Sequence, residues 1–248
     1  MNYKIKRTLI RIREGTWDRA IRFLFSGAIH SILNGYYCTS GRDTEVNRQR
    51  LASLSTSQFI EDQMSTAAAL QRPFDVIHHA VSRIDKSPDG MVLEFGVASG
   101  VTINLISSLL PDHTVHGFDS FNGLPEFWRQ GFPAGTFRQS ELPRVNRNVK
   151  LVVGMFDETL PRFLEGRREP AILIHIDCDL YSSAATVLRN LSRFIVPGTV
   201  IVFDEFFNYP GWREGEHRAF REFIESSGLG FEYLCYCCTH EQVAVRIK

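Results

Sequence analysis

The sequence predicts a doubly wound α/β domain: a mostly parallel sheet with helices on both faces, an antiparallel addition at one edge and a helical N-terminal extension. Three observations predict it. From Met91 onward, short apolar runs rich in β-branched residues alternate with stretches of helical periodicity. Two of these runs, Ile172–Ile176 and Val200–Phe203, break off directly into acid, at Asp177-Cys178-Asp179 and at Asp204-Glu205. The last two runs have no helix between them, which fits an antiparallel pair.

Taken in order, residues 1–56 read as a separate extension in which Ile5, Leu9, Ile12, Ile21, Leu24 and Phe25 recur at near-helical spacing among arginines and lysines. Packing on the main domain or on another subunit, as in a homo-oligomer, is one reading of this extension. A basic amphipathic helix in peripheral contact with an anionic membrane is the other. The main domain spans 57–248. Its pattern predicts helices over Phe59–Leu70 and Phe74–Ile84, a strand over Met91–Val97 and a helix over Val101–Leu110. A strand over Thr114–Phe118 precedes a long irregular segment from Asn122 to about Asn148, within which Phe127–Phe137 is a candidate lid over an acceptor. Strands follow at Lys150–Val153, Ala171–Ile176 and Thr199–Phe203, with helices at Leu160–Glu165, Ser183–Phe194 and Glu216–Ser227. Phe231–Cys237 and Gln242–Ile247 close the domain as strands.

With 248 residues the chain can bury a substantial core, and its 44% hydrophobic and 23% charged content is that of a globular protein. A formal net charge of zero argues against nucleic-acid binding through a broad basic field. Ala20–Tyr37 is interrupted by Arg22, His30 and Asn34, so it is not a membrane span. The five cysteines form no disulfide or zinc framework; reduced thiols and a cytoplasmic setting are expected.

Ligands of open parallel sheets bind outside the carboxyl ends of the strands, so the strand-end acids should share one crevice. Glu94-Phe95-Gly96-Val97-Ala98-Ser99-Gly100 turns from strand to helix there. A nicotinamide fingerprint needs glycines at 96, 98 and 101, and Ala98 and Val101 stand at two of those positions. An acid two residues before the first glycine instead suits a ligand with a positive amino group. Asp119, at the tip of the second strand, is placed to accept from ribose hydroxyls. The two together point to S-adenosyl-L-methionine. The bland readings are a plain turn at Gly96, a solvated loop acid at Asp119 and helix caps at the strand-end acids. Asp179, just before a helix start, suits the cap best. His217 and Tyr181 lie near these motifs without a role that sequence alone separates from packing.

Phe118–Pro125 (FDSFNGLP), Gly154–Pro161 (GMFDETLP) and Ile176–Tyr181 (IDCDLY) resemble the macrocin O-methyltransferase family, whose members methylate sugar hydroxyls of macrolide and aminocoumarin antibiotics. The resemblance spans roughly residues 62–225. It implies a class I methyltransferase (Rossmann-like) fold, S-adenosyl-L-methionine as donor, magnesium (Mg2+) assistance, and a small-molecule or glycan acceptor with a hydroxyl. By resemblance, Glu94, Gly96, Val97 and Ala98 belong to the methionine-tail loop, Asp119, Ser120 and Phe121 to the ribose contact, and Phe156 and Asp157 to the adenine region. Met64, Ser65 and Ser140 match further donor contacts. Asp177, Asp204 and Glu205 match the metal ligands, with Asp177 as ligand or general base, and Glu205 departs from the family's second aspartate. A catechol-like acceptor and a non-catalytic donor-binding protein are the competing readings.

Overall fold

The computed structural model describes residues 27, 30–32, 34–36, 41–84 and 90–248, so most of the basic extension and Cys38 lie outside the described residues. The chain divides into two units, Met1–Leu51 and Ala52–Lys248. The boundary expected at 56/57 falls inside helix α1, Thr44–Gln63. Among the described residues no helix is long and apolar enough to cross a membrane.

One eight-stranded sheet organises the larger unit. Its strands are β1 (Ala68–Leu70), β2 (Met91–Phe95), β3 (Val115–Asp119), β4 (Val149–Val153), β5 (Ala171–Ile176), β6 (Val200–Phe203), β7 (Phe231–Cys237) and β8 (Val243–Ile247). They lie in the order β1-β7-β8-β6-β5-β2-β3-β4. The helices are α2 (Pro73–Val81), α3 (Val101–Leu109), α4 (Phe156–Leu164), α5 (Tyr181–Leu191) and α6 (Glu216–Ser227). The expected antiparallel addition is β8, which pairs antiparallel with both β6 and β7. β1 extends that side of the sheet further by pairing parallel with β7.

β1 corrects the expected helix over Phe59–Leu70. The helix stops at Gln63, a turn closes from Ala67 N–H to the Met64 carbonyl, and Ala68–Leu70 then pair with Cys235–Cys237. Alanine's helix propensity, a few tenths of a kcal/mol, loses here to ladder pairing and burial. The start of α5 also differs, at Tyr181 rather than Ser183.

Every residue of β2, β5 and β6 is buried, as expected for parallel strands covered on both faces. On one face Leu93, Phe95, Ile174, Ile176, Ile201 and Phe203 pack with Leu188, Leu191 and Phe220 from α5 and α6. On the other, Val92, Leu173, Val200 and Val202 meet Val76 and Ile77 of α2 and Ile103 and Ile106 of α3. Register then sets a polar row into this second face. Glu94 lies opposite His175, and His175 opposite Val202, two residues before Asp204. Side chains alternate along a strand, so Glu94, His175 and Asp204 share one side of the sheet.

The chain runs outward through β2, β3 and β4, then crosses back to β5 and β6. The direction reverses between β2 and β5, where crevices of open α/β sheets form. Phe203→Ala, which empties a buried site against Phe206 and Phe220, is expected to lower unfolding free energy by about 3–5 kcal/mol in urea denaturation.

Candidate functional site at the sheet's switch point

Beyond β2 the backbone turns sharply. Gly96 has φ +93°, and a Cβ on it would lie 1.6 Å from the Asp177 carbonyl oxygen, so the β2 and β5 ends approach as only glycine allows. Ala98 (φ +43°) and Gly100 (φ +81°) complete the turn into α3. Asp119 holds this turn from the next strand. Its Oδ2 accepts from Val97 N–H at 2.9 Å and Ala98 N–H at 2.8 Å, and its Oδ1 accepts from Phe121 N–H at 2.7 Å. A carboxylate offers about four lone-pair positions, so Oδ1 keeps one for a hydroxyl donor.

A cavity of about 390 Å³ opens at this point. Of the residues singled out from sequence, Gly96, Ala98, Asp119, Ser120, Phe156, Asp177, Asp204 and Glu205 line it. Val97, Phe121 and Met64 are buried outside the lining. Glu94 is wholly buried beneath the turn, accepting from Thr102 Oγ1 at 2.8 Å. Ser65, Ser140 and Asp157 are exposed and do not line the cavity. The inserted segment contributes Leu124, Pro125 and Phe137 to the wall. Leu124 N–H donates to the Thr136 carbonyl at 2.9 Å and Gly135 N–H donates to the Leu124 carbonyl at 2.8 Å, which hold it in a hairpin-like loop.

Carboxylates crowd the cavity's inner end. Asp177, Asp179, Asp204 and Glu205 line it, and Glu216 lies fully buried just behind. Burial first, and then the neighbouring acids, push the Asp177 and Glu205 carboxyls well above the usual range. Glu216 is raised for the same reason, although it accepts from Cys178 N–H at 3.5 Å and Glu205 N–H at 3.1 Å. Glu216 thus ties the loop after β5 to the loop after β6. Asp179 is not a helix cap: α5 begins after Leu180 with no side-chain cap bond, and Asp179 (φ +63°) turns inward, 7% exposed. Burial raises it to about 7 against the opposing pull of Arg129.

Sequence reasoning passed over several partners of these acids. Gln242 Nε2 donates to Asp204 Oδ1 at 3.0 Å. Arg129 pairs with Glu241 at 3.0 Å and stacks on Trp128, Phe132 and Tyr209, which ties the inserted segment to the β7–β8 turn. His175, fully buried, sets Nδ1 3.5 Å from Glu94 Oε2 and Nε2 3.9 Å from Asp204 Oδ1. Its signal in the sequence was a lone polar residue inside the run Ile174-His175-Ile176. His217 and Tyr181 belong to packing and surface contacts. His217 stands edge-on to Phe59, Phe206 and Trp212, and Tyr181 donates to Glu222.

The donor set suits a divalent cation. Among the described residues, ligand atoms of His175, Asp177 and Asp204 lie within 4.8 Å of one another. Glu94 Oε2, both His175 ring nitrogens and Glu205 Oε2 are buried without a hydrogen-bond partner. Buried acids short of positive charge and orphaned polar atoms are both relieved by a cation.

A family model described as a methyltransferase domain matches residues 93–206. No curated protein matches the chain. Among solved structures, CalS11, a calicheamicin methyltransferase, is 24% identical over 82% of this chain and 93% of its own, with a TM-score of 0.56. The O-methyltransferase NovP is 20% identical over 69% of this chain and 78% of its own, with a TM-score of 0.50. These likenesses establish the fold, which is the Rossmann-like fold of the class I methyltransferases.

The raised carboxyls set the sign of the pH dependence. Asp179 folds with a value of about 7 against an ordinary value near 4, so the folded state holds a proton that the unfolded state releases between those limits. Stability is therefore highest below about pH 4 as far as this group is concerned, and falls as pH rises toward 7. In chelator, urea denaturation should give lower stability at about pH 8 than at about pH 5, by at most about 3 kcal/mol from this group, and Asp179→Asn should flatten the slope.

Proposed function

We propose that the chain is an S-adenosyl-L-methionine-dependent O-methyltransferase that methylates a sugar hydroxyl of a natural product or glycan, with a divalent cation and Asp177 assisting deprotonation. The observation that carries this reading is the shared cavity. The Gly96–Gly100 turn with its Asp119 clamp and the acid cluster around Asp177 open onto the same space. The ordered motifs FDSFNGLP, GMFDETLP and IDCDLY support the sugar-directed class, and the calicheamicin methyltransferase among the structural neighbours is compatible with it.

Each part of the chain then has a task. The Gly96–Gly100 turn brings backbone close to the amino acid tail of the donor. The free position on Asp119 Oδ1, with Ser120, receives the ribose hydroxyls, and Phe156 meets the adenine. Asp177, Asp204 and Glu205 are the residues that resemblance assigns to the cation. A bound divalent cation supplies Lewis acidity, which makes a coordinated hydroxyl a far stronger acid. Asp177 lines the cavity at the acidic end and, as a carboxylate, is the group placed to accept the hydroxyl's proton. The Phe137, Leu124 and Pro125 wall keeps water from the reacting end and aligns the acceptor. Alignment of this kind contributes up to roughly 7–11 kcal/mol to barrier lowering.

S-adenosylhomocysteine at a hundredfold excess over its dissociation constant should stabilise the protein by about 2.7 kcal/mol, and NAD should not. Asp119→Asn should weaken that binding roughly 10- to 100-fold in calorimetry, as loss of a charged hydrogen bond does. Asp177→Asn should keep donor binding while slowing methyl transfer to sugar acceptors by about 10²–10⁴-fold. Methylation of catechols in preference to sugars, or donor binding with no transfer to any hydroxyl acceptor, would overturn the sugar assignment.

A further inference from the structure

We infer that His175 is a metal ligand in this chain, joining Asp177 and Asp204 through Nε2, with Glu94 as the outer carboxylate that orients the ring. The resulting nitrogen-and-oxygen site takes a transition-metal dication such as Mn2+ in preference to Mg2+. The inference rests on the methyltransferase reading only for what the ion is used for.

The argument starts from burial. His175 has no exposed surface, sits one residue before the end of a wholly buried strand, and has no hydrogen-bond partner at either ring nitrogen. A buried imidazole left so is costly unless something absent from the protein atoms completes it. Each nitrogen nevertheless faces a carboxylate. Nδ1 is 3.5 Å from Glu94 Oε2, and Nε2 is 3.9 Å from Asp204 Oδ1. Sheet register enforces the arrangement, since Glu94 is the direct β2 partner of His175 and Asp204 follows Val202, its β6 partner.

This order of groups, carboxylate then imidazole then a convergent pair of acids, is the pattern by which proteins orient metal-bound histidines. Nδ1–H directed at Glu94 leaves the Nε2 lone pair facing Asp204 and Asp177. Glu94 is itself anchored at its other oxygen by the Thr102 hydroxyl at 2.8 Å. Glu94 has no exposed surface and is absent from the cavity wall, so orienting His175 accounts for it better than contact with a donor does. Glu205 is not in the group whose ligand atoms converge within 4.8 Å. Its backbone N–H donates to Glu216 Oε2 at 3.1 Å, and its side chain lines the same cavity. Imidazole nitrogen binds first-row transition-metal dications, Mn2+ included, better than Mg2+, which prefers an all-oxygen shell with retained water.

The competing account is a metal-free row in which a protonated His175 neutralises Glu94 and Asp204. Pulsed EPR of the full chain loaded with Mn2+ separates the two, with S-adenosylhomocysteine affinity measured on the same samples. The expected result is a nitrogen-14 coupling from a directly bound imidazole, and Mn2+ binding at least about tenfold tighter than Mg2+. Glu94→Gln should keep the coupling and weaken Mn2+ binding by about 10- to 100-fold. Glu205→Ala should weaken it less than His175→Ala does. Absence of Mn2+ binding, or bound Mn2+ without nitrogen coupling, overturns the ligand assignment. Since the wild-type spectrum needs no variant, a poorly folding His175→Ala does not blunt the test. Intact S-adenosylhomocysteine binding without nitrogen coupling defeats this inference alone, whereas nitrogen coupling without any donor binding defeats the methyltransferase reading alone.

Discussion

Mutual repulsion among buried carboxylates is the constraint to which the rest of this structure answers. Asp177, Asp179, Glu205 and Glu216 gather beside Asp204 at the carboxyl ends of β5 and β6, and desolvation already disfavours the charge of those four. Such a cluster persists only if surrounding groups hold it in place. Glu216 bridges the two loops, Gln242 donates to Asp204, and Arg129 draws on Asp179 from the inserted segment. None of these groups supplies enough positive charge to neutralise the acids. Protonation, which the raised carboxyls favour, and a cation are the two ways in which that repulsion is relieved.

The turn on the other side of the switch point meets the opposite demand. Its backbone N–H groups at Val97, Ala98 and Phe121 need an acceptor, and Asp119 provides it from the neighbouring strand. One carboxylate thus shapes the loop and keeps a lone pair for a ligand. The close approach of Gly96 to the Asp177 carbonyl joins this half of the site to the acidic half. The two halves cannot be altered independently, because any side chain at position 96 displaces the loop that bears Asp177.

Sequence revealed the sheet where the pattern was unambiguous. Fully apolar runs such as Ile172–Ile176 and Val200–Phe203 have few alternatives to a buried strand, and the acids ending them were visible without any structure. β1 was hidden because Ala68 and Ala69 favour a helix locally and become a strand only through distant pairing with Cys235 and Tyr236. Asp179 was misread because a cap and an inward-turned acid differ in one backbone angle, its φ of +63°. His175 needed register. Only when Glu94 and Asp204 are placed on adjacent strands does a histidine in an apolar run acquire neighbours. Tertiary pairing carries that information, and local pattern does not.

The position of β8 has a consequence for how the molecule is assembled. It follows β6 and β7 in the chain yet lies between them in the sheet. Until both later strands have been made, the outer edge of β6 stays unpaired, with its apolar residues Val200–Phe203 open to other chains. A nascent or partly unfolded molecule is therefore most vulnerable to edge-to-edge association at the same strand that delivers Asp204 to the site.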